Sequence, residues 1–182
     1  MSKEPYIYKQ IDGEEAFLAG IVEAYTETDL CSAIHRNYKL GFCVNLTSDV
    51  FGLEENNKLS FKESIRNRIE KKCFDCLFED WLKQTLSNVE NAIESMDFTK
   101  TDLSFEEGIK KLISTVTNDT TKIDSNISTY CRNLEWYFGK SKSVYTVKDK
   151  MHLLQAYDYI IFDSIFIEFD RYVLMLNIGT DD

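Results

Sequence analysis

Thiols and imidazoles are the first side chains to weigh for chemistry, and the chain offers five cysteines (Cys31, Cys43, Cys73, Cys76, Cys131) and two histidines (His35, His152). Cys73-Phe-Asp-Cys76 is a single C-x-x-C. Structural zinc takes four ligands, and no second pair stands at matching distance. A redox pair sits where a strand meets a helix start, because the dipole there lowers a thiol pKa. Cys73 and Cys76 instead fall well inside an expected helix at core-facing spacing, so they are expected to be buried and reduced. His35 and His152 are too far apart in sequence to build a His-rich metal site. A Cys/His pair is left to the fold to assemble.

Carboxylates are the richer resource. From Met151 to Asp182 stand six acids (Asp158, Asp163, Glu168, Asp170, Asp181, Asp182) against Arg171, so 1 − 6 leaves −5 of the chain's net −10 in its last stretch. Acids on neighbouring strands can hold a divalent cation, which makes an enzyme with a site assembled from scattered residues the alternative reading. The nuclease arrangement, however, needs a lysine two residues after the glutamate, and Glu168 is followed by Phe169 and Asp170. Strand alternation puts Ile165, Ile167 and Phe169 on one face and Phe166, Glu168 and Asp170 on the other. That second face, mixed acidic and aromatic, suits a protein partner with a basic surface. The residues expected to meet it are Asp158, Asp163, Phe166, Glu168, Asp170 and Tyr172.

No glycine-rich phosphate loop, G-x-S-x-G elbow or H-E-x-x-H pair occurs, so no cofactor is expected. The acid excess, 31 against 21 basic residues, repels phosphate backbones and anionic lipid, which argues against nucleic acid and membrane. The first residues lack the basic, then apolar, character of a secretory signal, and the odd set of cysteines suits a reducing compartment. A cytoplasmic protein is expected.

The elements that must position these residues follow from pattern. With 182 residues, 43% of them hydrophobic, one proline and seven glycines, the chain suits a single domain (1–182) built on long helices. Residues 6–11 read as an edge strand. A helix is expected from Glu14 to Tyr25 after Asp12, with Phe17, Ile21 and Tyr25 on its apolar stripe, and a second from Leu30 to Leu40, stopped by Gly41. Residues 42–47 fit a strand or a buried connector equally. Leu59-Ser-Phe-Lys-Glu-Ser-Ile and Leu103-Ser-Phe-Glu-Glu-Gly-Ile each pair a serine (Ser60, Ser104) with a glutamate (Glu63, Glu107) as a capping box. The first opens a helix to about Ser95, the second one from Phe105 to Val116. A further helix carries Ile123, Ile127, Tyr130, Leu134 and Tyr137 and ends at Gly139. Strands are expected at 144–147, 157–162, 165–169 and 172–178, with Asp170-Arg171 as a turn.

The fold class is therefore α+β: a mostly helical first three quarters packed on a small C-terminal antiparallel β-sheet. The function expected is that of a non-enzymatic acidic interaction protein, such as an immunity-type inhibitor of a basic bacterial toxin.

Overall fold

The computed structural model describes residues 13–53, 97–148 and 160–180. Cys73, Cys76, His152, Asp158, the first capping box with its helix, and the strands expected at 6–11 and from 157 to 159 lie outside them.

The first helical region is α1 (Gly13–Tyr25), a π-helical stretch (Thr26–Cys31) and α2 (Ser32–Asn37). Leu18, Val22, Thr26, Leu30 and Ile34 are all buried, a strict spacing of four. At 3.6 residues per turn that spacing drifts round the helix by about 40° at each step. The wider turn of the π stretch takes up part of the drift and keeps the stripe on the core. Phe17, expected inside, is 63% exposed. The buried stripe of α1 is Leu18 and Val22, one residue round from the expected one. α2 ends where Tyr38 turns extended, three residues before Gly41.

The sheet has five strands among the described residues: β1 (Asn45–Gly52), β2 (Asp97–Thr101), β3 (Ser143–Lys148), β4 (Ile160–Glu168) and β5 (Tyr172–Thr180). Their spatial order is β1-β5-β4-β3-β2, and every neighbouring pair is antiparallel. The α+β class is as expected, but the sheet is not confined to the C-terminal end. β1 and β2 come from the first 101 residues and form its two outer strands. Residues expected as two separate strands around Asp163 form one, β4, interrupted by a shift of register between Ile161 and Asp163. Asp170 and Arg171 make the turn to β5, closed by the Phe169 N–H donating to the Tyr172 carbonyl at 2.8 Å.

α3 (Phe105–Ile113) begins with a complete capping box: the Ser104 side chain accepts from the Glu107 N–H, and the Glu107 carboxylate accepts from the Ser104 N–H at 2.7 Å. α4 (Asp124–Phe138), entered through a 3₁₀ turn, ends at Gly139, whose φ of 79° is cheap for glycine alone. α3 and α4 pack together, α3 lies against β3, β4 and β5, and α1 lies against β1. The core between helices and sheet joins Val22, Leu30, Ile34, Ile109, Ile113, Tyr130 and Leu134 to Val144, Ile165, Ile167, Leu174 and Leu176.

Candidate functional site

The expected site does not form one accessible surface. Alternation along β4 runs as expected, with Ile165 and Ile167 in the helix-side core and Phe166 on the opposite face. That opposite face is not solvated, however. Phe51, Val147, Phe166, Val173 and Met175 are all buried on it. Phe166 is 0% exposed and meets Phe98 edge-on, with ring centroids 5.3 Å apart. A polar chain crosses the same face: Ser164 Oγ donates to Asn177 Oδ1 at 2.7 Å, and Asn177 Nδ2 to Thr47 Oγ1 at 3.4 Å. Strands buried on both faces need such partners for every polar atom.

Asp163 is buried too, its Oδ1 accepting from the Ser164 N–H beside the register shift. Neither Asp163 nor Phe166 is therefore available to a partner in this structure. Glu168 is half-buried and accepts from the Tyr145 hydroxyl at 2.9 Å. Tyr172 is half-buried against the Phe138 ring, and Arg171 lies over its face. Among the described residues of the expected site, only Asp170 is fully at the surface, where it pairs with Lys142. Phe166 and its neighbours put hydrophobic density where the sequence suggests an acidic face, because acids at strand ends read the same as acids along a strand.

Of the thiols and imidazoles, Cys31, Cys43, Cys131 and His35 lie among the described residues. The His35 Nε2–H donates to the Val44 carbonyl at 2.7 Å, tying the end of the helical region to the approach of β1. Cys31 is buried with its Sγ directed at the Leu46 carbonyl, and burial pushes its thiol up to about 11. Burial also raises the Cys131 thiol strongly. A thiol held neutral is a poor nucleophile. Among the described residues no three His, Cys, Asp or Glu side chains converge as metal ligands, and no helix is long and apolar enough to cross a membrane.

α1 and the π stretch meet α4 along a seam, and these three elements carry exposed aromatic and acidic groups. Phe17 is 63% exposed, Trp136 85% and Tyr137 40%, three of the four large hydrophobic side chains left exposed among the described residues. Tyr25 joins them, its ring 6.3 Å from that of Tyr137. The Tyr137 hydroxyl beside it, then partial burial and last the Asp29 charge, hold the Tyr25 hydroxyl above its ordinary value. The seam is held by two contacts that cross it. Thr26 Oγ1 and the buried Tyr130 hydroxyl are 3.0 Å apart, and Asn133 Nδ2 donates to Asp29 Oδ2 at 3.4 Å.

Charge on the α1 side has one sign. Residues 13–35 include Glu14, Glu15, Glu23, Glu27 and Asp29 and no lysine or arginine. Glu14, Glu23 and Glu27 are exposed. The signal for this site was present in the sequence: the stripe Phe17, Ile21, Tyr25 is apolar, but it is a second stripe beside the buried one. Comparison with protein-family models, with curated proteins and with solved structures returns no match for this chain.

Proposed function

We propose that the protein is a non-enzymatic binding protein whose partner is a protein with a basic surface, as an immunity-type inhibitor engages a basic toxin. The observation that carries this reading is the run from Glu14 to Asp29, five carboxylates without a lysine or arginine among them, on α1 and the π-helical stretch, with Glu14, Glu23 and Glu27 exposed. Clustered charge of one sign steers an oppositely charged partner and raises the association rate, and it repels nucleic acid and anionic lipid. The excess elsewhere acts in the same direction, since the whole chain carries −10.

The test is affinity capture from the native host followed by association kinetics at two salt concentrations. The captured protein is expected to be basic, and its association rate to fall as salt rises. The double variant Glu23→Lys, Glu27→Lys is expected to associate more slowly and with a flatter salt dependence. An association rate indifferent to both salt and charge reversal would remove the basis for the proposal.

A further inference from the structure

We infer that Thr47, Asn177 and Ser164 form a register lock, one polar row across three strands that fixes where β5 stands between β1 and β4. The three are direct cross-strand partners, Thr47 with Asn177 and Asn177 with Ser164. Their side chains are joined in the same order: Ser164 Oγ donates to Asn177 Oδ1 at 2.7 Å, and Asn177 Nδ2 to Thr47 Oγ1 at 3.4 Å. Asn177 is 1% exposed and Ser164 0%, so neither can turn to solvent for a partner.

Apolar pattern alone leaves the register of β5 open. A slip of one residue would carry Asn177 into the helix-side core, which the alternation forbids. A slip of two keeps every face. On the helix side it exchanges Leu174, Leu176 and Ile178 for one another, opposite Val50, Ser48 and Leu46 of β1. Side chains of such similar volume trade places at little cost. Backbone hydrogen bonds do not choose either, since each register makes its own ladder. The polar row does choose. One slip puts Gly179 between Thr47 and Ser164, the other puts Met175 there, and both strip the two hydroxyls of the amide that joins them. Buried polar groups serve in this way in other folds, giving up stability to fix a register.

Turn chemistry governs the near end of the β4–β5 hairpin, through Asp170 and Arg171. That control ends at the shift of register between Ile161 and Asp163, and Ser164–Asn177 is the second pair on the turn side of the shift. The row therefore also holds the shift in place, since migration toward the turn would re-pair Ser164. β1 is held to β5 without a turn: Thr47 and Asn177 stand 130 residues apart in the chain.

The experiment is NMR of the full chain. The parent is expected to show one set of β5 amide signals, with nuclear Overhauser contacts from Leu176 to Ser48 and Ile165. Thr47→Val, Ser164→Ala and Asn177→Leu in one chain make the row apolar. That variant is expected to keep its circular dichroism and to show a second set of β5 signals, at about a tenth of the total or more, with contacts displaced by two residues. The exchange of Ser164→Asn with Asn177→Ser keeps hydrogen bonding in the same row and is expected to return the protein to one set in the native register. A single set with native contacts in the apolar variant would show that turn and packing suffice, and would overturn the inference. Should the apolar variant not fold, the exchange decides: one native register supports the lock, and two registers or no fold overturns it.

Discussion

Thr26 and Tyr130 show how much a single contact can depend on which partner is removed. Their oxygens lie 3.0 Å apart with both residues buried, and the pair ties the π stretch to α4. Thr26→Val leaves the Tyr130 hydroxyl buried without its partner, which costs about 1–3 kcal/mol. Tyr130→Phe is expected to cost less, because a threonine hydroxyl in a helix can turn to the carbonyl one turn back. Chemical denaturation of the two single variants and the double tests this: the double should cost less than Thr26→Val alone, because the orphaned hydroxyl is gone. Cys31 supplies a second expectation at the same scale. Its thiol is raised from an ordinary value of 9.0 to about 11, chiefly by burial. The folded state thus keeps its proton where the unfolded chain loses it. The stability it contributes is full below about 9 and is lost as pH rises toward about 11. Exposed Cys43 should therefore be alkylated before Cys31 and Cys131 in the native protein, with those two following only on unfolding. Peptide-level mass spectrometry reads that order, and early labelling of Cys31 would contradict its burial.

Among the elements, α3 was the most legible in sequence because its start is chemical as well as periodic. Ser104 and Glu107 form the box their spacing implies, and Ile109, Leu112 and Ile113 are buried as their spacing requires. Ser104→Ala is expected to cost about 0.5–2 kcal/mol, measured by thermal or urea unfolding. The Glu107 carboxyl is held below its ordinary 4.5 by hydrogen bonds from Ser104, so its support is present above that value and lost as pH falls through the folded pKa. Gly108 in the same helix gives a sharper test. A Cβ there would come within 2.9 Å of Val144 Cγ1, a buried β-branched side chain with little room to rotate. Alanine gains about 1 kcal/mol of helix propensity over glycine, but overpacking a filled core costs about 1–3 kcal/mol. Gly108→Ala is expected to destabilise, and Val144→Ala in the same chain to relieve part of the loss; a more stable Gly108→Ala would show that the sheet yields there. The strands were harder to read for physical reasons. β2 (Asp-Phe-Thr-Lys-Thr) is an outer strand with three of its five residues exposed, so little apolar alternation marks it. β4 looked like two pieces because the register shift near Asp163 breaks its alternation. In α1, two apolar stripes lie side by side, and periodicity alone does not say which one the core takes.

For the whole molecule, charge was the property most directly legible, and its location was the part that needed the fold. Among the described residues the C-terminal acids Asp163, Glu168 and Asp170 are buried, half-buried and ion-paired in turn, while Glu14, Glu23 and Glu27 of the acidic helical run are exposed. A net charge of −10 also acts on the folded state itself, since compaction brings like charges together. Opposing this are exposed ion pairs such as Lys110 with Glu106 and Asp124, at 3.2 and 3.3 Å, each worth only about 0–1 kcal/mol. Salt screens both terms, shortening the Debye length from about 10 Å at 0.1 M to about 3 Å at 1 M. Repulsion summed over the whole surface should outweigh a few local pairs at neutral pH. The melting temperature is therefore expected to rise as sodium chloride increases from low to moderate concentration at pH 7. Near the sequence pI of about 4.8 the net charge is gone, and the same salt series should leave the melting temperature flat or lower it slightly as the pairs are screened. Scanning calorimetry at the two pH values separates the terms, because a rise of equal size at both would point to ion exclusion from the protein surface. A fall at pH 7 would mean that local pairing, and not the acidic field, governs the molecule, and the long-range steering proposed for its partner would lose its physical source.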